Sequence, residues 1–147
     1  MSHDPRDIRL IVVHHTASPR STTWRDIQRW HWKRFKMHSG YHRIIESDGF
    51  VMDGQRIQKR GAHAPPNSGR FGIVVVGDNT VPGRGWNATQ WDSLIRELHY
   101  WCDRLPNADI CGHNQTKPTE CPGLDIGKAL LERGWDRPHR LMRGMFT

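Results

Sequence analysis

Apolar side chains recur along this chain with two different periods, and the switches between them mark out its elements. Ile8-Arg9-Leu10-Ile11-Val12-Val13 opens a β-branched run that reaches His15 and stops at the Ser18-Pro19 turn signal, the pattern of a buried strand. Ser21-Thr22-Thr23 then offers helix caps, and Trp24, Ile27, Trp30 or His31, and Phe35 follow at helical spacing. That pattern predicts a helix running to about Met37, closed by Ser39-Gly40. Asp48-Gly49, between Tyr41–Ser47 and Phe50–Met52, predicts a β-hairpin. A Pro- and Gly-rich loop through Ala64-Pro65-Pro66-Asn67-Ser68-Gly69 leads to Gly72-Ile73-Val74-Val75-Val76-Gly77, which reads as a central strand. From about Thr89 the stripe Trp91, Leu94, Ile95, Leu98, Trp101, Cys102, Leu105 follows the helical period closely until Pro106 ends it. Ala108–Gly112 predicts a further strand and Asp125–Arg133 a last helix.

Strands and helices mixed in this way, without internal repeats or an interior linker, predict a single α/β domain with a central mixed β-sheet flanked by helices. The length, 147 residues, suits one such domain with a sizeable core. No run of 18 apolar residues is present to cross a membrane as a helix. The first seven residues are polar and lack the apolar core of a signal peptide, so the expected location is a host cytoplasm, with access to any envelope substrate depending on holin-type release. Three cysteines are too few for a disulfide scaffold and are expected free or metal-bound. The net charge of +7 points to a polyanionic partner without choosing among nucleic acid, anionic lipid and envelope polymer.

Metal-competent side chains gather where predicted strands end: His14-His15, Cys111-Gly112-His113 and, eight residues further on, Cys121-Pro122-Gly123. Two imidazoles and a thiolate would meet the needs of a catalytic zinc, which keeps three protein ligands and one open position. Spacing alone does not name zinc, because no Cys-x-x-Cys or His-Glu-x-x-His pair occurs, and a histidine at a strand end is more often structural.

Six segments in order resemble the N-acetylmuramoyl-L-alanine amidase family that contains T7-type phage lysozymes and the peptidoglycan recognition proteins. They are Val12-Val13-His14-His15-Thr16-Ala17, Ile27-Gln28-Arg29-Trp30-His31, Gly40-Tyr41-His42-Arg43-Ile44-Ile45 with Asp48-Gly49, Gly61-Ala62-His63-Ala64 with Asn67, Gly72 to Gly77, and Gly112-His113 with Cys121-Pro122-Gly123. Together they span about residues 8–134, leaving 136–147 as a basic tail outside the match. The resemblance implies a zinc ion in a surface cleft at strand ends, held by His14, His113 and Cys121. It implies hydrolysis of the amide between N-acetylmuramic acid and L-alanine in bacterial peptidoglycan by a monomeric, endolysin-like enzyme. Tyr41 and Thr119 take the assisting catalytic positions; Thr119 stands where the phage lysozymes have a lysine, which leaves the proton carrier open, and Lys117 is a nearby cation. His63 and Asn67 are expected to bind substrate. His15, His31 and His42 are expected to be structural, Cys102 core, and Cys111 only a remote alternative as a ligand.

Two rival readings follow from the same family. Some relatives bind peptidoglycan without cutting it, a branch marked by loss of the cysteine ligand that Cys121 retains here, and some T7-type lysozymes also inhibit a phage RNA polymerase, a surface no residue here identifies. The chain reads as having no basic run interleaved with aromatics at RNA-binding spacing, so no specific nucleic-acid partner is expected. The tail from Arg137 to Phe146, drawn as a helix, puts Leu141, Met142, Met145 and Phe146 opposite Arg140 and Arg143, a form suited to an anionic outer-membrane or lipopolysaccharide surface. At this length a docked tail is the preferred alternative.

Overall fold

The computed structural model describes residues 3–144. Five strands form one sheet: β1 (Leu10–His15), β2 (Arg43–Ile45), β3 (Val51–Asp53), β4 (Arg70–Val75) and β5 (Asp109–Gly112), in the order β3-β2-β4-β1-β5. β1 lies parallel between β4 and β5, β2 is parallel to β4, and only the β2–β3 hairpin is antiparallel. Three helices, α1 (Trp24–Phe35), α2 (Ala88–Arg104) and α3 (Ile126–Glu132), complete the mixed α/β domain.

Alternation along the strands assigns each residue to a face. Ile11, Val13, Phe71, Ile73 and Val75 pack with Trp91, Leu94, Leu98, Trp101 and Leu105 of α2 and with Ile126 and Leu130 of α3 in the main core. Val74 and Val76 point the other way, into a smaller cluster with Ile44 and with Ile27 of α1. His14 shares the face of Leu10 and Val12, which is the α1 side, whereas His15 faces the other side beside Asp78 and Asn79. The period of two therefore separates adjacent histidines into two environments.

α2 matches the sequence pattern because Asn87 and Gln90 form a reciprocal cap at its start and its apolar stripe lies on the sheet. α1 is capped from one side only, the Asp26 carboxylate accepting from the Thr23 N–H and hydroxyl, and it ends at Phe35, since Lys36 takes a left-handed conformation at φ 55°. Its expected apolar face is only partly used. Ile27 is its one buried residue, and Trp30, Trp32 and Phe35 are exposed, because α1 touches the sheet near its first turns and then overhangs the cleft.

The basic tail does not form an amphipathic helix over its described residues. Pro138–Arg140 is a single 3-10 turn, Leu141 is buried beside Ile110, and the Met142 N–H donates to the Ile110 carbonyl at 2.8 Å. Arg140 donates to the carbonyls of Cys102, Leu105 and Ala108, satisfying acceptors left open where α2 ends. Met145 and Phe146, also assigned to that helix, lie outside the described residues.

Candidate active site

His14, His113 and Cys121 converge at the C-terminal edge of the sheet. One ligand-competent atom from each lies within 4.8 Å of the others. His14 ends β1, His113 begins the 3-10 turn after β5, and Cys121 comes in on the loop before α3, with Gly123 at φ +83° allowing the chain to turn back. Cys121 Sγ is 3.6 Å from His14 Nδ1, and Nε2 of His113 is buried without a protein partner among the described residues. Two imidazoles, a thiol and an orphaned buried nitrogen fit a tetrahedral zinc that keeps a fourth position open. Cys111 is not in this group; it lies buried with Val12 and Ala64.

Burial sets the protonation of these groups. It holds His14 well below the usual histidine range, with further lowering from the neighbouring His63, His113, His15 and His31, and it lowers His113 to about 4. Both imidazoles are therefore neutral at pH 7, the form that binds metal. Burial pushes the Cys121 thiol up to about 12 when no cation faces it, so metal uptake would release its proton.

The orientation of His14 is fixed from behind by His63. His63 Nε2 lies 3.3 Å from the Arg70 carbonyl, which can only accept, so this nitrogen carries the proton. Burial keeps His63 neutral, with a pKa near 3, so its Nδ1 accepts from His14 Nε2 at 2.9 Å. His14 Nδ1 is thereby left with its lone pair towards Cys121. The His63 ring lies flat over Gly72, where an added Cβ would sit 2.7 Å from ring atoms. Asn67 Oδ1 accepts the backbone N–H groups of both His63 and Ala64 at 2.9 Å and so shapes the loop. Both ring nitrogens of His63, expected from the sequence to bind substrate, are thus engaged within the protein.

A cleft of about 290 Å³ opens beside the three residues, lined among others by His31, Arg34, Tyr41, His63, Asn67, His113 and Lys117. The Tyr41 ring meets the His14 ring edge-on at 5.1 Å, and burial raises its phenol well above the usual value, leaving it a neutral donor. Thr119 is elsewhere: its hydroxyl accepts from Cys121 N at 3.4 Å, and it lines a separate hollow with Thr80, Asn114 and Glu120. Lys117 rather than Thr119 faces the cleft. His42 is fully buried and bonds Gly72 N and the Lys59 carbonyl, His31 accepts from Gly40 N, and Cys102 is core, as their sequence positions suggest.

Two neutral histidines and a thiol beside an aromatic donor on a mixed sheet form a donor set able to hold a metal ion. Residues 4–124 match the family model described as N-acetylmuramoyl-L-alanine amidase, and the chain belongs to that family. Among its relatives, a peptidoglycan-recognition protein of Drosophila melanogaster is 32% identical over 130 residues, 81% of this chain and 70% of that protein. An N-acetylmuramoyl-L-alanine amidase of Mus musculus is 32% identical over 152 residues, covering 92% of this chain but 28% of the mouse protein. The solved Ph2119 endolysin from Thermus scotoductus MAT2119 bacteriophage Ph2119 superposes with a TM-score of 0.76 at 28% identity, over 86% of this chain and 84% of that one.

Proposed function

We propose that this protein is a zinc-dependent, endolysin-like amidase that hydrolyses the bond between the lactyl group of N-acetylmuramic acid and L-alanine in bacterial peptidoglycan. The observation that carries the proposal is the convergence of His14, His113 and Cys121 beside a cleft that also holds Tyr41. Zinc bound there would polarise the amide carbonyl and lower the pKa of a coordinated water to about 7. The chain's own residues do the rest. His63 keeps His14 in the tautomer that offers Nδ1, and Tyr41 donates its phenolic hydrogen to the carbonyl oxygen as negative charge develops there. Lys117 adds positive charge near that oxygen, while Thr119 steadies the backbone of Cys121. Arg34 and Lys117 complement the carboxylates of a stem peptide, and Asn67 keeps its amide N–H groups for the substrate because its oxygen is already engaged.

The second reading is a module that binds peptidoglycan without cutting it, favoured by the relatives named as recognition proteins. Cys121 weighs against it, since a binding module has no need of a thiolate in that set. Sacculus clearing by the zinc-loaded wild type separates the two: clearing that is lost together with stoichiometric zinc in Cys121→Ser supports the amidase, whereas sacculi that the wild type binds but does not clear refute it.

A further inference from the structure

The charge of this protein is concentrated on α1 and the lysine that follows it. Between Trp24 and Lys36 there are five basic residues and one acid, a net +4 of the chain's +7, and three of its seven tryptophans. Asp26, that single acid, is taken up by Arg29 and by the cap at Thr23. Arg25, Lys33, Arg34 and Lys36 have no acidic partner within 4.0 Å among the described residues. A helix turns about 100° per residue, so Arg25, Arg29 and Lys33 share one ridge, with Trp32 on one shoulder and Trp30 on the other, and Lys36, just past the helix end, reaches to 6.0 Å from the Trp32 ring. Both indoles are about half exposed, at 50% and 48%. His31, Arg34 and Phe35 face the cleft from the opposite side, so this ridge is separate from the candidate active site.

We infer that the outward ridge of α1 is a docking surface for a lipid bilayer rich in anionic phospholipid. Charge complementarity names the polarity of the partner. Nucleic acid is disfavoured although Arg29-Trp30-His31-Trp32-Lys33-Arg34-Phe35-Lys36 does interleave basic and aromatic residues, contrary to the expectation from sequence. Stacking of successive bases needs several open ring faces, and here Trp32 is stacked by His38 and approached by Lys36 while Arg34 covers Phe35, which leaves Trp30 as the single open indole of the run among the described residues. Indoles flanking a basic ridge suit the headgroup layer, where the ring sits at the interface and the long basic stems reach phosphate. A helix of 12 residues lying flat presents a contact of roughly 18 Å. The docked tail leaves no comparable amphipathic surface between residues 136 and 144.

This inference goes beyond the amidase reading and stands apart from it. The full chain is floated with vesicles of phosphatidylglycerol and phosphatidylcholine, with vesicles of phosphatidylcholine alone, and titrated with a single-stranded oligonucleotide. Binding to the anionic vesicles at least about tenfold tighter than to the neutral ones, and weakening as salt rises, is expected. Arg25→Glu with Lys33→Glu should lower it about tenfold or more. Trp30→Ser with Trp32→Ser should lower it at unchanged charge, and both variants should keep the wild-type circular dichroism and clearing of bare sacculi. Equal affinity for the two vesicle types, full affinity in the charge-reversed protein, or tighter binding to the oligonucleotide than to the anionic vesicles would overturn the assignment. Should a pair of substitutions unfold the protein, brominated anionic lipid decides on the wild type: indole emission that it fails to quench also overturns the proposal.

Discussion

At the scale of single residues, the site depends on which nitrogen each histidine offers. His14 and His15 are neighbours in sequence, yet strand alternation gives only His14 to the α1 side, and that much is legible from a period of two. The part played by His63 is not legible, because its contact with His14 spans 49 residues and forms only once β1 and the loop before β4 are assembled. The bare backbone of Gly72, which makes room for that ring, likewise gains its meaning only from the fold. Residues that orient a ligand from behind commonly contribute 10- to 100-fold in metal affinity. His63→Ala should therefore weaken zinc binding by about that factor in competition with a chromophoric chelator, while His15→Ala binds zinc as wild type does. Equal zinc affinity in His63→Ala and wild type would mean that His14 needs no such support.

At the scale of elements, β1 and α2 were readable because their apolar periods continue unbroken over the residues that meet the core. α1 shows where such a pattern misleads. Its aromatics recur at helical spacing, but spacing does not say how much neighbouring surface exists to cover them, and here the sheet covers only the start of the helix. The tail shows the converse. Leu141 and Arg140 look like two faces of a free helix, whereas one fills the edge of the core and the other closes the last carbonyls of α2. Ending the chain after Trp135 removes both, and melting should fall by several degrees, since a loss of 1 kcal/mol moves a domain of this size by about 2–4 °C or somewhat more. A truncated protein that melts with the full chain would show the docking to be inconsequential.

For the whole molecule, the number of buried neutral histidines makes acid a specific threat. Burial lowers His42 to about 4 and His63 to about 3, against an ordinary value of 6.5. Below pH 6.5 the unfolded chain takes up protons that the folded chain refuses, so stability falls as pH drops towards those folded values and levels off beneath them. Each such histidine contributes about 1.4 kcal/mol per pH unit in that window. The metal-free protein should lose melting temperature steeply between about pH 6.5 and 4, and His42→Gln should flatten the slope; a flat profile across the window would contradict this. The molecule as a whole places a mixed sheet and its helices under a site whose three metal-competent residues were named from sequence by resemblance, since spacing alone left zinc open. Purified sacculi digested with the zinc-loaded protein and resolved by mass spectrometry give the most direct test of the proposed reaction. Stem peptides bearing a free L-alanine amine, beside glycan strands carrying intact lactyl carboxylates, are the predicted products; sacculi that bind the protein yet release no such amine would contradict it.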